Sequence, residues 1–518
     1  MILGNRLREQ VPASPFQRTT LDDLFRRAVE RRAETTALVD PPDRESFTDG
    51  TPKRLTYAEA DRVVSAIAAR LKSLGLKTDA IVALQLANTA ECVLALLAIL
   101  RAGMIAVPLP LLWRQIEAVQ ALNRIGARAL ITSRRIGPDD HGELAMHIAA
   151  ETFTIRFLCA FGEAHIDGVV GLDDVFAGAP ADEPPVERIG NPADHVAVVT
   201  FEIAPDGLVP VARSHAELIA GGLAVVLEGR IGRDARLLGA LATSSFAGLA
   251  TTLVPWLLAG GALTLHQPFD GATFAAQCED GCDAAILPGS LLPRLLEAGL
   301  IGGNAGPRTV LAVWRAPERI AGSASWPAGE SALVDVPTFG EIGLLAKRRA
   351  ADGKPAGIMP GPIAAPRSEG SGLVLVDVAR SAAGTIMLSG AMVPHDPFPP
   401  GVERSGAARL AVGEDGFVDT GYACRLERGR GTLTVDAPPP GIISIGGYRF
   451  VLKPLQDFIA GLADGSTLAA LPDGLAGHRL AGVATDRNAV RRVLAEQGAN
   501  PLVVSAFRER RGSRASAA

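Results

Sequence analysis

Apolar and polar positions alternate along this chain with two periods, one of helices and one of buried strands. Leu21 to Arg32 has helical spacing behind Thr20, which can cap its first turn, and Thr36 to Asp40 follows as a strand. Leu55 to about Leu74 predicts an amphipathic helix, Ala80 to Leu86 a buried strand, and Thr89 to Ala102 a second helix. Ile105 to Leu109, Gln115 to Ile125 and Ala129 to Thr132 continue the series as strand, helix and strand. Strands separated by helices predict a parallel, doubly wound sheet covered on both faces.

Residues 136–190 are rich in Gly, Ala and Pro and are broken at Pro184-Pro185, so they predict an irregular connection. Val196 to Val199 predicts another buried strand, and Thr200 to His215 a turn-rich loop. Ser214 then caps a helix beginning at Ala216. A strand, a loop and a helix N-terminus in that order favour an anion, because loop N–H groups and the helix dipole point the same way.

The stretch Leu237 to Leu265 carries no charge and is long enough to cross a bilayer. Three hydroxyls in a row (Thr243, Ser244, Ser245), Pro255 and Gly260-Gly261 predict instead a helix over Gly248 to Ala259, a turn, and a strand over Ala262 to Leu265. No stable membrane span is expected. Further along, Ala284 to Pro288 and Thr309 to Trp314 are strands, with a helix at Ser290 to Leu296.

Composition narrows the function classes. The 518 residues are 48% hydrophobic and 21% charged, which describes a globular chain with two or more domains. A net charge of -5 gives no electrostatic support to a nucleic-acid role. Five scattered cysteines form no disulfide framework and point to a reducing, cytoplasmic setting. Cys278 and Cys282 have no second Cys or His pair nearby to complete a zinc site. The first residues, Met1 to Glu9, lack an apolar core of signal-peptide length.

The order of several motifs resembles the adenylate-forming superfamily of acyl-CoA synthetases, peptide-synthetase adenylation domains and luciferases. Leu55-Thr-Tyr-Ala-Glu59, Leu96-Leu-Ala-Ile-Leu-Arg-Ala-Gly103 with Val107-Pro-Leu109, and Ala127-Arg-Ala-Leu-Ile-Thr132 resemble the family's opening segment. Thr200 to His215 resembles its phosphate-binding loop, Val334 to Gly343 its Tyr-Gly-x-Thr-Glu motif, Asp415 to Tyr422 its Thr-Gly-Asp motif, and Gly431 to Tyr448 its hinge. The resemblance implies an α/β fold: a large N-terminal domain of doubly wound sheets over residues 1–436, a small α+β lid over 441–510, and a flexible tail over 511–518.

It also implies roles. Thr200, Gly207 and Arg213 would lie near the phosphates, Phe339 and Gly340 near the adenine, and Thr420 and Tyr422 near the ribose. Glu341 would hold Mg²⁺ and, with His215, form the catalytic pair; Ser245, Phe246 and Gly248 would line the acyl pocket. The implied cofactors are ATP, Mg²⁺ and coenzyme A, and the implied partner is a small carboxylic acid. The sequence departs from the pattern at specific points. The hydroxyl-rich half of the loop reads Phe201-Glu-Ile-Ala-Pro205, Val209 stands where the loop lysine should be, and Trp314-Arg315 fills the place of a Gly-Gly turn beside the adenine. Tyr422 replaces the ribose-binding Asp, and a phenol lacks the two-oxygen acceptor that a diol prefers. Pro438-Pro-Pro440 stiffens the hinge. The late lysine has no counterpart; Arg511 or Arg514 would supply its charge, unless they belong to a solvated tail. Three readings stand side by side: ATP-dependent acid activation through an acyl adenylate with transfer to coenzyme A, a non-catalytic relative that binds an acyl group, a nucleotide or a partner, or a remodelled site in which Arg213 replaces the loop lysine and Tyr422 stacks on a different ligand.

Overall fold

The computed structural model describes residues 18–508 apart from 163–165, 179–182, 304–305, 328, 330, 367–371, 402–406 and 463–464. The first residues, the tail at 511–518 and Arg511 and Arg514 lie outside the described residues.

Local chemistry starts the helices where the pattern puts them. Thr20 and Asp23 form a reciprocal capping box for Leu21–Arg32, and Thr56 and Glu59 do the same for Tyr57–Ser73. Four sheets organise the molecule. A nine-stranded sheet runs through Ala332–Phe339, Thr309–Trp314, Ala284–Pro288, Leu237–Gly239, Leu263–Leu265 and Thr36–Val39 with parallel neighbours. A seven-stranded sheet has Ile105–Pro108, Ile81–Gln85, Ala129–Ser133 and Phe157–Phe161 in parallel at its centre. A five-stranded antiparallel sheet (Gly361–Ala365 to Thr432–Ala437) follows, and a four-stranded sheet (Ile442–Ile445 to Gly477–Val483) forms the lid with the helices Leu452–Leu462 and Arg487–Glu496. The α/β architecture expected from the sequence, large doubly wound sheets followed by a small α+β unit, is the one observed.

The helix Ala90–Arg101 is buried along its whole length, sharing one apolar cluster with residues of both large sheets. Its two charges are neutralised in place. Arg101 pairs with Asp22 at 2.9 Å and Asp61 at 2.7 Å, and Glu91 with Arg44 at 2.9 Å and Lys53 at 2.7 Å.

Several expectations need correction. Residues 136–190 are not irregular throughout: His141–Glu151 is a helix, with the Asp140 side chain accepting from the Glu143 amide, and Phe157–Phe161 joins the seven-stranded sheet. The low contrast of Gly and Ala along the helix hid its periodicity. The uncharged stretch contains a strand (Leu237–Gly239) before its helical part, which is a short helix, a π-turn over Leu249–Leu253 and the helix Val254–Ala259. Among the described residues no helix is long and apolar enough to cross a membrane. The remaining corrections lie at the site itself.

Candidate functional site

The turn-rich loop is a β-hairpin. Val196–Ala204 pairs with Gly207–Ser214 from Thr200↔Val211 through Glu202↔Val209 to Ala204↔Gly207, leaving only Pro205 and Asp206 at the tip. Alternating β-branched residues on both arms and a Pro-Asp-Gly turn favour this arrangement over an open loop. Backbone groups that an open loop would offer to phosphates are instead committed to a ladder. Gly207 sits at the end of that ladder, beside the tip.

All four sheets meet next to the hairpin. Glu202 comes from its first arm, Gly340 and Glu341 from the turn after Ala332–Phe339, Tyr422 from the five-stranded sheet, and Arg449 from the lid strand Tyr448–Val451. Arg449 donates from Nη1 to Glu202 Oε1 and from Nη2 to the Tyr422 Oη. The Glu341 amide donates to the other oxygen, Glu202 Oε2. The three side chains are 7% (Glu202), 8% (Arg449) and 1% (Tyr422) exposed, so the pair lies out of water, where it is stable only with its remaining hydrogen bonds made. Burial pushes the Glu202 carboxyl above the usual range against the pull of Arg449. Burial opposes the charge on Arg449, but Glu202 and Tyr422 outweigh it and hold its pKa above the ordinary value. Burial also pushes the Tyr422 phenol up. Gly340 has φ +58°, and a Cβ there would collide with the Glu202 carboxylate.

The sequence-derived site residues fall around this point. Phe339 packs edge-on against Tyr422, with ring centroids 5.4 Å apart. The Glu341 carboxylate accepts the Phe246 amide at 2.6 Å and has Arg315 3.9 Å from its other oxygen. Arg213 donates to the carbonyls of Glu341 and Ile342, the latter at 2.9 Å, and stacks its guanidinium 3.8 Å from the Phe246 ring centroid. Burial lowers its pKa to about 10. Phe246 is thereby part of the wall, with no acyl space left beside it on the Arg213 side. Ser245 caps the short helix by accepting from the Gly248 amide at 3.3 Å, and Gly248 lies so close to the Ala242 carbonyl that no side chain fits. The buried Thr200 hydroxyl has no hydrogen-bond partner among the described residues, and the Thr420 hydroxyl donates to the Ile386 carbonyl at 2.8 Å.

His215 is elsewhere in chemical terms. Its Nδ1 accepts the Leu21 amide at 3.2 Å, and burial lowers its pKa to about 3, so it is a neutral acceptor joining two helix starts. A catalytic role for His215 is corrected on that ground. The crowding expected from Trp314 is corrected too: its indole donates to Asp335 at 2.9 Å inside the core, and Arg315, not Trp314, lines the cleft.

Glu202 and Arg449 were missed as site residues, whereas Arg315 was noted only as part of the replaced turn beside the adenine. A lone acid inside the apolar run Val196–Ile203, and a lone base between Tyr448 and Phe450, are the signals that could have found the first two, because such groups require buried partners. The cavity left between Trp113, Phe201, Glu202, Arg315, Glu341 and Arg449 is about 40 Å³. Ligand sites usually offer roughly 300–1,000 Å³. With the hairpin closed, Glu202 on the Glu341 amide and Tyr422 sealed by Arg449, the space left in this arrangement is too small for a nucleotide.

Residues 25–201 match the family model described as "AMP-binding enzyme". The curated relative phosphinothricin tripeptide synthetase PhsC of Streptomyces viridochromogenes is 28% identical over 200 residues, which is 38% of this chain and 16% of that protein. The chain therefore matches only a small part of that relative's length. Among solved structures, the amide bond synthetase McbA of Marinactinospora thermotolerans superposes with a TM-score of 0.69 at 18% identity, covering 94% of each chain. A double mutant of o-succinylbenzoate CoA synthetase from Bacillus subtilis superposes with a TM-score of 0.67 at 16% identity, covering 92% of each. Over residues 25–201 the chain is thus similar to AMP-binding enzymes, and over nearly all its length its fold is that of these synthetases.

Proposed function

We propose that this chain keeps the adenylate-forming fold while its nucleotide site has become a structural joint, so that it serves as a non-catalytic, cytoplasmic acyl-binding scaffold. The observation that carries the reading is the hairpin over 196–214, which spends the phosphate-loop backbone on strand pairing. A cleft of about 340 Å³ beside that hairpin, lined by Val209, Pro210, Phe398 and Leu410 together with His395, Asp396 and Arg409, has the size for a small ligand of mixed apolar and polar character. The domain division expected from the sequence, a body to residue 436 and a lid from 441, belongs to the same proposal.

A second reading has its own support. Phe339, Gly340 and Glu341 remain together beside Tyr422, and Arg449 is a lid residue that lid rotation would withdraw. On that reading the protein is acyl-CoA synthetase-like: ATP and Mg²⁺ at Glu341 activate a carboxylic acid, which passes to coenzyme A.

Calorimetry with ATP, with and without Mg²⁺, together with a pyrophosphate-release assay over a panel of carboxylates, separates the two. The scaffold reading expects no heat from ATP at millimolar concentration and no pyrophosphate. Micromolar ATP binding or carboxylate-dependent pyrophosphate release overturns it.

A further inference from the structure

We infer that Glu202 is a built-in occupant of an oxyanion site formed by the lid's Arg449 and the Glu341 amide, and that removing its carboxylate opens this site to a free phosphate or carboxylate ion. The inference rests on the reading of the nucleotide site as a joint, and it says what fills that joint.

The geometry is that of a ligand bound by its own chain. One carboxylate oxygen receives a guanidinium N–H from a different domain and the other receives a backbone N–H from a turn, the donor set that carboxylates and phosphates both take. Gly340 has no side chain where the carboxylate rests, so the turn makes room for it. The second Arg449 branch is held by Tyr422, which fixes the guanidinium towards Glu202. Arg315 lines the same cavity and adds a second positive charge. Arg449 lies in the lid and Glu202 in the seven-stranded sheet, so the occupant also fastens one to the other; Arg319 makes a separate lid contact, donating to the Leu475 carbonyl at 2.8 Å. Deleting the carboxylate leaves a buried guanidinium without its counter-ion, the circumstance in which a small free anion binds.

The test is chemical rescue on the full chain. Glu202→Ala melts at a lower temperature than the parent in chloride. Its melting temperature then rises with added inorganic phosphate or acetate at constant ionic strength, with at least tenfold tighter anion binding than the parent shows. Comparing phosphate with acetate tells which oxyanion the site prefers. Glu202→Ala/Arg449→Met loses the response. Equal responses to chloride, acetate and phosphate, or an equal response in the parent or in the double variant, overturn the inference. Should Glu202→Ala fail to fold, Glu202→Gln keeps the shape and removes the charge. Amide hydrogen exchange of 448–451 then rises while that of the Ile81–Gln85 strand does not; unchanged exchange at 448–451 overturns the inference. These readouts are independent of ATP, so ATP binding by the parent would defeat the scaffold reading and leave this result to stand or fall by itself.

Discussion

Gly340→Ala tests the packing of the joint without touching a charged group. Gly340 has φ +58°, in the left-handed region, where an alanine costs about 1 kcal/mol. Its new Cβ would also drive the Glu202 carboxylate out of place, separating it from Arg449 and the Glu341 amide. Breaking a buried pair in this way costs about 3–5 kcal/mol. The single variant is therefore expected to lose about 4–6 kcal/mol, read from the urea midpoint at constant m. In a Glu202→Gly background the clash and the pair are both absent, and the same substitution should cost only about 1 kcal/mol. The double-mutant cycle thus has an expected coupling of about 3 kcal/mol or more. Equal costs of Gly340→Ala in the two backgrounds would refute the reasoning, because they would show that Glu202 does not rest where the turn leaves room for it.

Two further predictions concern groups outside the joint. His215 has a folded pKa of about 3 against an ordinary 6.5, so below pH 6.5 the unfolded chain takes up a proton that the folded one refuses. Stability should fall by about 1.4 kcal/mol per pH unit from that side chain as pH drops from 6.5, with no effect above it; urea midpoints of His215→Gln should decline less steeply between pH 7 and 5, and an unchanged slope would contradict the assignment. Arg101 is held between Asp22 and Asp61 in the helix at the centre of the molecule. Arg101→Met removes both pairs while Asp22 keeps Arg26 at 2.7 Å, and should destabilise the fold by about 1–3 kcal/mol in a denaturant titration, whereas a loss under about 0.5 kcal/mol would show that the pairs contribute little.

Much of the αβ alternation from Leu21 to Ser133 was legible because each element carries its own local signal, a capping Thr or an apolar strand run. The helix His141–Glu151 was not, since Gly and Ala give little contrast between its faces. The motif resemblance brought Phe339, Gly340, Glu341 and Tyr422 to one place, and the structure also finds them adjoining. It did not reveal what they do there. Glu202 and Arg449 are 247 residues apart, and no local pattern announces a pair at that separation. The departures at Glu202 and Tyr422 were visible one at a time as losses; only the fold shows that Arg449 binds both.

The wholly buried helix Ala90–Arg101 has a consequence for biosynthesis. Strands of the nine-stranded sheet that share its apolar cluster, such as Leu237–Gly239, Leu263–Leu265 and Ala284–Pro288, leave the ribosome long after it does. At roughly 5–20 residues per second the nascent chain carries this apolar helix half-covered for on the order of ten seconds. During that interval Glu91 and Arg101 can already be paired, because Arg44, Lys53, Asp22 and Asp61 all precede the helix in the chain. Its charges are thus met early and its apolar surface late, which makes the emerging N-terminal segment a natural client for a ribosome-associated chaperone.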